Sequence, residues 1–129
     1  MREIRMVDLK TQYETISDQV DTAVQEVIQS TAFINGPAVK SFQKNLEEYL
    51  DVKHVIPCAN GTDALQVSMM ALGLKPGDEV ITVSFTFVAT VEVIALLQLK
   101  PVLVDVDPDT FNIDPEAVKK AITPKTKAI

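Results

Sequence analysis

From Lys53 onward the sequence alternates short apolar runs with amphipathic segments, and this alternation constrains the fold more than any other feature. The runs are His54–Ala59, Glu79–Val83 and Val102–Val106, and a fourth opens at Lys127-Ala128-Ile129. Runs of this length, bounded by turn residues, read as β-strands. The stretches between them, at about Thr62–Leu72, Ala89–Leu99 and Pro115–Ile122, carry helical spacing. Strands joined through helices of this size run parallel, with right-handed crossovers. The expected architecture is therefore α/β, a mostly parallel sheet with flanking helices. Local punctuation supports it. In Lys75-Pro76-Gly77-Asp78 the proline presets φ and the glycine supplies a positive φ for a tight turn. Asp114-Pro115-Glu116 reads as a helix N-cap, a proline at the first helical position and an early acidic residue.

The segment before Lys53 has a different period. Ile16, Val20, Ala23, Val24, Val27 and Ile28 recur at three- and four-residue steps, which predicts a helix over Thr11–Gln29. Asn35-Gly36-Pro37 closes a break that starts at Thr31. A second helix is predicted from Ala38 to Leu50, with Val39, Phe42, Leu46, Tyr49 and Leu50 on one face. The chain thus divides into an N-terminal helical segment, residues 1–52, and an α/β segment, residues 53–129. Pro124–Ile129 has the pattern of a strand being entered, so the chain reads as a fragment of a longer one.

At 129 residues, 47% hydrophobic and 23% charged, the chain has ordinary globular composition. Its net charge is −6, and the densest basic group, Lys119, Lys120, Lys125 and Lys127, sits beside Asp114 and Glu116. That pattern describes a solvated face, and nucleic acid is not expected as a partner. A lone cysteine, Cys58, permits no internal disulfide and reads as a small buried hydrophobe on the first strand. His54, the sole histidine, lies four positions before it, and the pair makes a poor nucleophile–base arrangement. Met1–Lys10 carries Arg2, Glu3, Arg5 and Asp8 without an apolar core, so no signal peptide is expected. No stretch approaches the roughly 18 apolar residues of a membrane span. A reducing cytoplasm is the expected compartment.

Two junctions carry candidate chemistry. With Asn60 as N-cap, Gly61, Thr62 and Asp63 are the first three helical residues. One reading is a capping box, in which Asn60 bonds the Asp63 amide and the Asp63 carboxylate reaches back to the Asn60 amide. The other is an anion site, where the amides of Gly61 and Thr62, joined by that of Asp63, and the Thr62 hydroxyl grip a phosphate at the positive helix end. It requires the Asp63 side chain to turn aside, and spacing alone does not choose between them. The second junction is Ser84-Phe85-Thr86-Phe87, after the next strand. One phenylalanine could project over the sheet edge and stack on a planar ring, or both could be core residues under a loop. Asp105 and Asp107 superficially suggest a metal pair, but Asp107-Pro108-Asp109 is more simply a turn, and no metal site is expected.

These segments together resemble the DegT/StrS (DegT/DnrJ/StrS) sugar aminotransferases, PLP enzymes of fold type I. The matching pieces are Val7-Asp8-Leu9-Lys10 with Tyr13, Phe33-Ile34-Asn35-Gly36-Pro37, Asn60-Gly61-Thr62-Asp63-Ala64-Leu65, Pro76-Gly77-Asp78-Glu79-Val80-Ile81, Ser84-Phe85-Thr86-Phe87-Val88-Ala89-Thr90, Pro101–Asp107 and Ile122–Ile129. They cover essentially the whole chain in the family's order.

The resemblance implies several assignments. Gly61 and Thr62 would hold the phosphate of pyridoxal 5'-phosphate, Phe87 would stack on its pyridine ring, and Asn35 would be a substrate contact near the active-site entrance. The Schiff-base lysine, the aspartate that pairs with the pyridine nitrogen and a further phosphate-binding serine would lie downstream of Ile129, as would the rest of the large domain and a small C-terminal domain. No catalytic residue is then expected within the chain, and the chain by itself is expected to be inactive. The intact enzyme would be a homodimeric cytoplasmic transferase that moves an amino group, from glutamate, onto a nucleotide-linked keto-sugar for polysaccharide biosynthesis. Two alternatives stay open: a PLP-dependent sugar dehydratase on the same scaffold, and a non-enzymatic α/β module that binds anions or nucleotides.

Overall fold

A computed structural model describes Ile4 and residues 6–129. The charged start of the chain, with Arg2, Glu3 and Arg5, lies outside the described residues. The fold comprises two compact units, Met1–Pro57 and Cys58–Ile129.

The first unit is helical. Its elements are α1 (Leu9–Glu14), α2 (Ser17–Ser30) and α3 (Pro37–Leu50). Where periodicity predicts one helix over Thr11–Gln29, the structure has two, because side chains intervene. Asp8 accepts from the Thr11 amide at 3.1 Å and starts α1 early. The Thr15 hydroxyl donates to the Gln12 carbonyl at 2.7 Å, which ends the first helix locally before Ile16 opens the second. Both α2 and α3 end on non-glycine residues in left-handed conformation, Thr31 at φ 54° and Asp51 at φ 52°. Between them Asn35, at φ 49°, makes the turn and Pro37 takes the first position of α3. Gly36 is needed there, since a Cβ at that position would lie 2.1 Å from the Ala32 carbonyl oxygen.

The second unit is α/β. Its elements are α4 (Gly61–Ala71), β1 (Glu79–Val83), α5 (Ala89–Leu96), β2 (Lys100–Val104), α6 (Pro115–Ala121) and β3 (Thr126–Ala128). The sheet has the order β2-β1-β3 and both pairings are parallel. Consecutive strand residues face opposite sides, so the burial of Glu79, Val80 and Ile81 in succession shows both faces of β1 covered. Val80, Ile94 and Leu99 form the core, with Met69, Leu74, Leu97 and Ala128 against them. The Lys75–Asp78 turn forms as expected: Gly77 adopts φ 90°, and the Asp78 carboxylate accepts from the Lys75 amide at 2.8 Å.

Four further expectations are corrected. His54–Ala59 is not a strand; its backbone joins no ladder among the described residues, and Val55 instead donates to the Glu47 carboxylate at 3.0 Å. An apolar run becomes a strand only beside a partner that can take its hydrogen bonds. Cys58, expected in the interior of that strand, is consequently exposed. The third strand occupies Lys100–Val104 instead of Val102–Val106, because Glu79 pairs with Lys100 and the ladder ends where β1 ends, at Val83. Helix α5 stops at Leu96 where Leu99 was expected, since Gln98 turns left-handed at φ 59° and the Leu99 amide returns to the Ile94 carbonyl.

Candidate functional site

The N-terminus of α4 is built by Asn60, whose extended backbone, at φ −164° and ψ 177°, precedes the first helical residue. Its Oδ1 accepts from the Asp63 amide at 2.9 Å, which takes that amide out of the candidate phosphate donors. The reciprocal half of a capping box is absent. The Asp63 carboxylate instead takes the Asn60 side-chain amide, Nδ2 to Oδ2, at 3.3 Å. Among the described residues, the Gly61 and Thr62 amides and the Thr62 hydroxyl donate to no acceptor. These donors sit where the helix dipole is positive. A Cβ at Gly61 would meet nothing within 4 Å, so neither crowding nor a left-handed φ requires glycine there. The bare backbone leaves room for an external group to approach the amides. The donor set therefore fits a phosphate monoester.

The second junction leaves β1 at Ser84. Neither of its aromatic rings is in the core: Phe85 is 65% exposed and Phe87 is 74% exposed. Phe85 packs on Phe111, with ring centroids 5.5 Å apart and planes tilted by 33°. Phe87 has no aromatic partner among the described residues, and its carbonyl accepts from the Thr90 amide and hydroxyl as α5 begins. An uncovered aromatic face of this kind suits stacking on a flat heterocycle. Because α4 and α5 pack together, both junctions belong to one unit, Cys58–Ile129. Asn35 lies in the other unit and is exposed.

The acidic residues after β2 serve the chain itself. One Asp107 carboxylate oxygen accepts from the Asp109 amide, the Thr110 amide and the Thr110 hydroxyl at 2.8–3.0 Å. These bonds, from Thr110 above all, hold the Asp107 carboxyl below its ordinary pKa. Asp105 accepts from the Val106 amide at 2.8 Å. Among the described residues no group of three or more potential metal ligands comes together.

One charged cluster was not apparent from the sequence. Glu79, only 5% exposed, opens β1 and receives hydrogen bonds from the Thr123 hydroxyl and, at 3.0 Å, from the Lys100 ammonium. The Thr123 bond, then the Lys100 bond, lowers its pKa. The only sequence signal was a glutamate at the start of an apolar run.

Comparison with known proteins identifies the family. Residues 14–129 match the model of the DegT/DnrJ/EryC1/StrS aminotransferase family. The chain is 52% identical, over 126 residues, to the UDP-2-acetamido-2-deoxy-3-oxo-D-glucuronate aminotransferase of Pseudomonas aeruginosa, covering 98% of this chain and 35% of that protein. Its fold superposes on the crystal structure of a DegT DnrJ EryC1 StrS aminotransferase from Brucella abortus with a TM-score of 0.89 and 43% identity, over 98% of this chain and 35% of that one. It also superposes on NtdA from Bacillus subtilis, solved with bound cofactor PMP, with a TM-score of 0.85 and 38% identity, over 98% of this chain and 30% of that one. The chain thus spans about a third of the length of these relatives. A parallel sheet flanked by helices and a family match over most of the sequence lead to one conclusion: the chain belongs to the DegT/DnrJ/EryC1/StrS family of PLP-dependent aminotransferases.

Proposed function

We propose that this chain is the N-terminal part of the PLP-binding large domain of a longer enzyme, one that transfers an amino group from glutamate to a nucleotide-linked keto-sugar. The observation that carries the reading is the start of α4, where Asp63 is turned onto Asn60 and the Gly61 and Thr62 amides are left without acceptors. In this proposal Gly61 and Thr62 hold the phosphate of PLP. Phe87 orients the pyridine ring from one face and excludes water from it. Asn35 contributes a substrate contact. PLP, when bound, supplies the electron sink that amino-group exchange requires. The lysine that would move the proton and the carboxylate that would pair with the ring nitrogen belong to segments outside this chain.

The nucleotide-sugar substrate is supported by the name of the Pseudomonas aeruginosa relative, a UDP-sugar aminotransferase. The proposal further places the enzyme in the cytoplasm, as a homodimer, in the synthesis of surface polysaccharide precursors. Among the described residues no helix is long and apolar enough to cross a membrane.

The test is a PLP titration of the full-length protein. A hydrogen bond to a charged phosphate contributes about 1.5–3 kcal/mol, so Thr62→Ala should weaken PLP binding by about ten- to hundredfold. Phe87→Ala should weaken it by about three- to tenfold, the value of one stacked ring. The 129-residue chain alone should bind PLP no better than roughly millimolar, since its few contacts barely offset the cost of association. If Phe87→Ala leaves PLP affinity intact while nucleotides bind more tightly than PLP, the chain is an anion- or nucleotide-binding module and the aminotransferase reading fails.

A further inference from the structure

The loop that carries Phe87 has few main-chain tethers. No amide from Phe85 to Val88 donates a backbone hydrogen bond among the described residues. What meets this loop from outside is the ring of Phe111, from the turn that follows β2.

That turn is heavily constrained. The Phe111 amide donates to the Asp107 carbonyl at 2.8 Å, and the Asp107 amide donates to the Asn112 carbonyl at 2.8 Å. The Asp107 carboxylate gathers the Asp109 and Thr110 donors, and an antiparallel bridge between Val106 and Ile113 closes the base. Phe111 itself sits at φ 58°, a left-handed conformation that a bulky residue rarely adopts. Such a conformation persists only where its surroundings over-determine it. Burial of the ring is not the reason, because Phe111 is 61% exposed. The strained backbone instead directs the ring against Phe85, the only aromatic pair among the described residues.

We propose that Phe111 is a positioning residue for the Ser84–Phe87 loop: fixed by the Asp107 turn, its ring braces Phe85 and thereby sets where Phe87 is presented. The consequence for PLP rests on the role given to Phe87 above; the bracing of the loop does not.

Two readouts on the full-length protein test this. Phe111→Gly removes the ring while accepting the left-handed φ, so the turn survives. Without PLP, the NMR order parameters of the Phe85–Val88 backbone amides should drop into the flexible range, below about 0.6, while those of β1 and β2 are unchanged. PLP affinity should fall about three- to tenfold, Phe111→Tyr should preserve both properties, and Phe111→Gly should cost nothing further in a Phe87→Ala background. Unchanged order parameters at Phe85–Val88 in Phe111→Gly overturn the proposal. An undiminished loss of PLP affinity in the Phe87→Ala background also overturns it, because Phe111 would then act by another route. Lowered order parameters combined with a Phe87→Ala variant that binds PLP normally support the brace and remove Phe87 from the cofactor site.

Discussion

The two units of this chain hold their structure by different means. In Cys58–Ile129 the sheet and helices enclose side chains with almost no exposure: Ile81 and Ile94 at 1% and Val93 at 0%. In Met1–Pro57 the helices α1, α2 and α3 bury no residue, and apolar positions such as Val24 and Phe42 stand at 50% and 57% exposure. The helices of the first unit are therefore written by local signals: the Asp8 cap, the Pro37 start, and the left-handed stops at Thr31 and Asp51. In the second, packing holds α5, which buries Ala89, Val93 and Ile94, and α6, which buries Val118. An amphipathic period states that one face of a helix requires a cover, and it leaves the identity of that cover open.

Substitutions can break this contrast. The largest effect should come from Ile94→Ala, which empties a fully buried site beside Val80 and Leu99 and should destabilise the second unit by about 2–5 kcal/mol. Val24→Ala, on an exposed face, should stay within about 0.5 kcal/mol. Denaturant unfolding of the two variants measures the difference, and comparable losses would show that the α2 face is as tightly packed as the core. Next comes Gly36→Ala. Its Cβ would collide with the Ala32 carbonyl, so about 1–3 kcal/mol should be lost from the first unit, seen as reduced helical circular dichroism on heating.

A smaller change is expected for Asn60→Ala, which removes the side-chain cap of α4 and should cost about 1 kcal/mol in denaturant unfolding. The same variant frees the Asp63 carboxylate from the Asn60 amide and should weaken PLP binding in the full-length protein, because that negative charge then competes for the helix terminus. The last effect is read as a slope in pH. Glu79 has its pKa lowered from 4.5 by Thr123 and then Lys100. Its stabilising contribution is thus complete above the unfolded value and disappears as pH falls through the lower folded value. Glu79→Gln should flatten the stability–pH profile below about pH 4.5, the unfolded carboxyl value, and leave the first unit's behaviour in acid unchanged. An identical slope with and without the carboxylate would remove Glu79 from the account.

Legibility followed the range of the interactions. The Asn60 and Asp114 caps and the Lys75–Asp78 turn were readable because donor and acceptor lie within three residues of each other. The same proximity made the amides of Gly61 and Thr62 visible as candidate donors, while the direction in which the Asp63 carboxylate turns was not readable from spacing. His54–Ala59 has the composition of a strand and joins no ladder among the described residues, because pairing is a property of the neighbour and not of the run. The Glu79–Thr123 hydrogen bond spans 44 residues of sequence and left no local trace.

The sequence by itself determined the class of the fold, the positions of most helices, and the turn and cap chemistry, and it singled out the two junctions on which the proposed function rests. These rest on periodicity and on contacts within a few residues, which any local window contains. Tertiary structure alone decided that β1 is central, that Glu79 at its start is clasped by Thr123 and Lys100, that Cys58 is exposed, and that Phe111 packs on Phe85. Each of those outcomes depends on which distant segments meet, and that is settled by packing the whole chain at once.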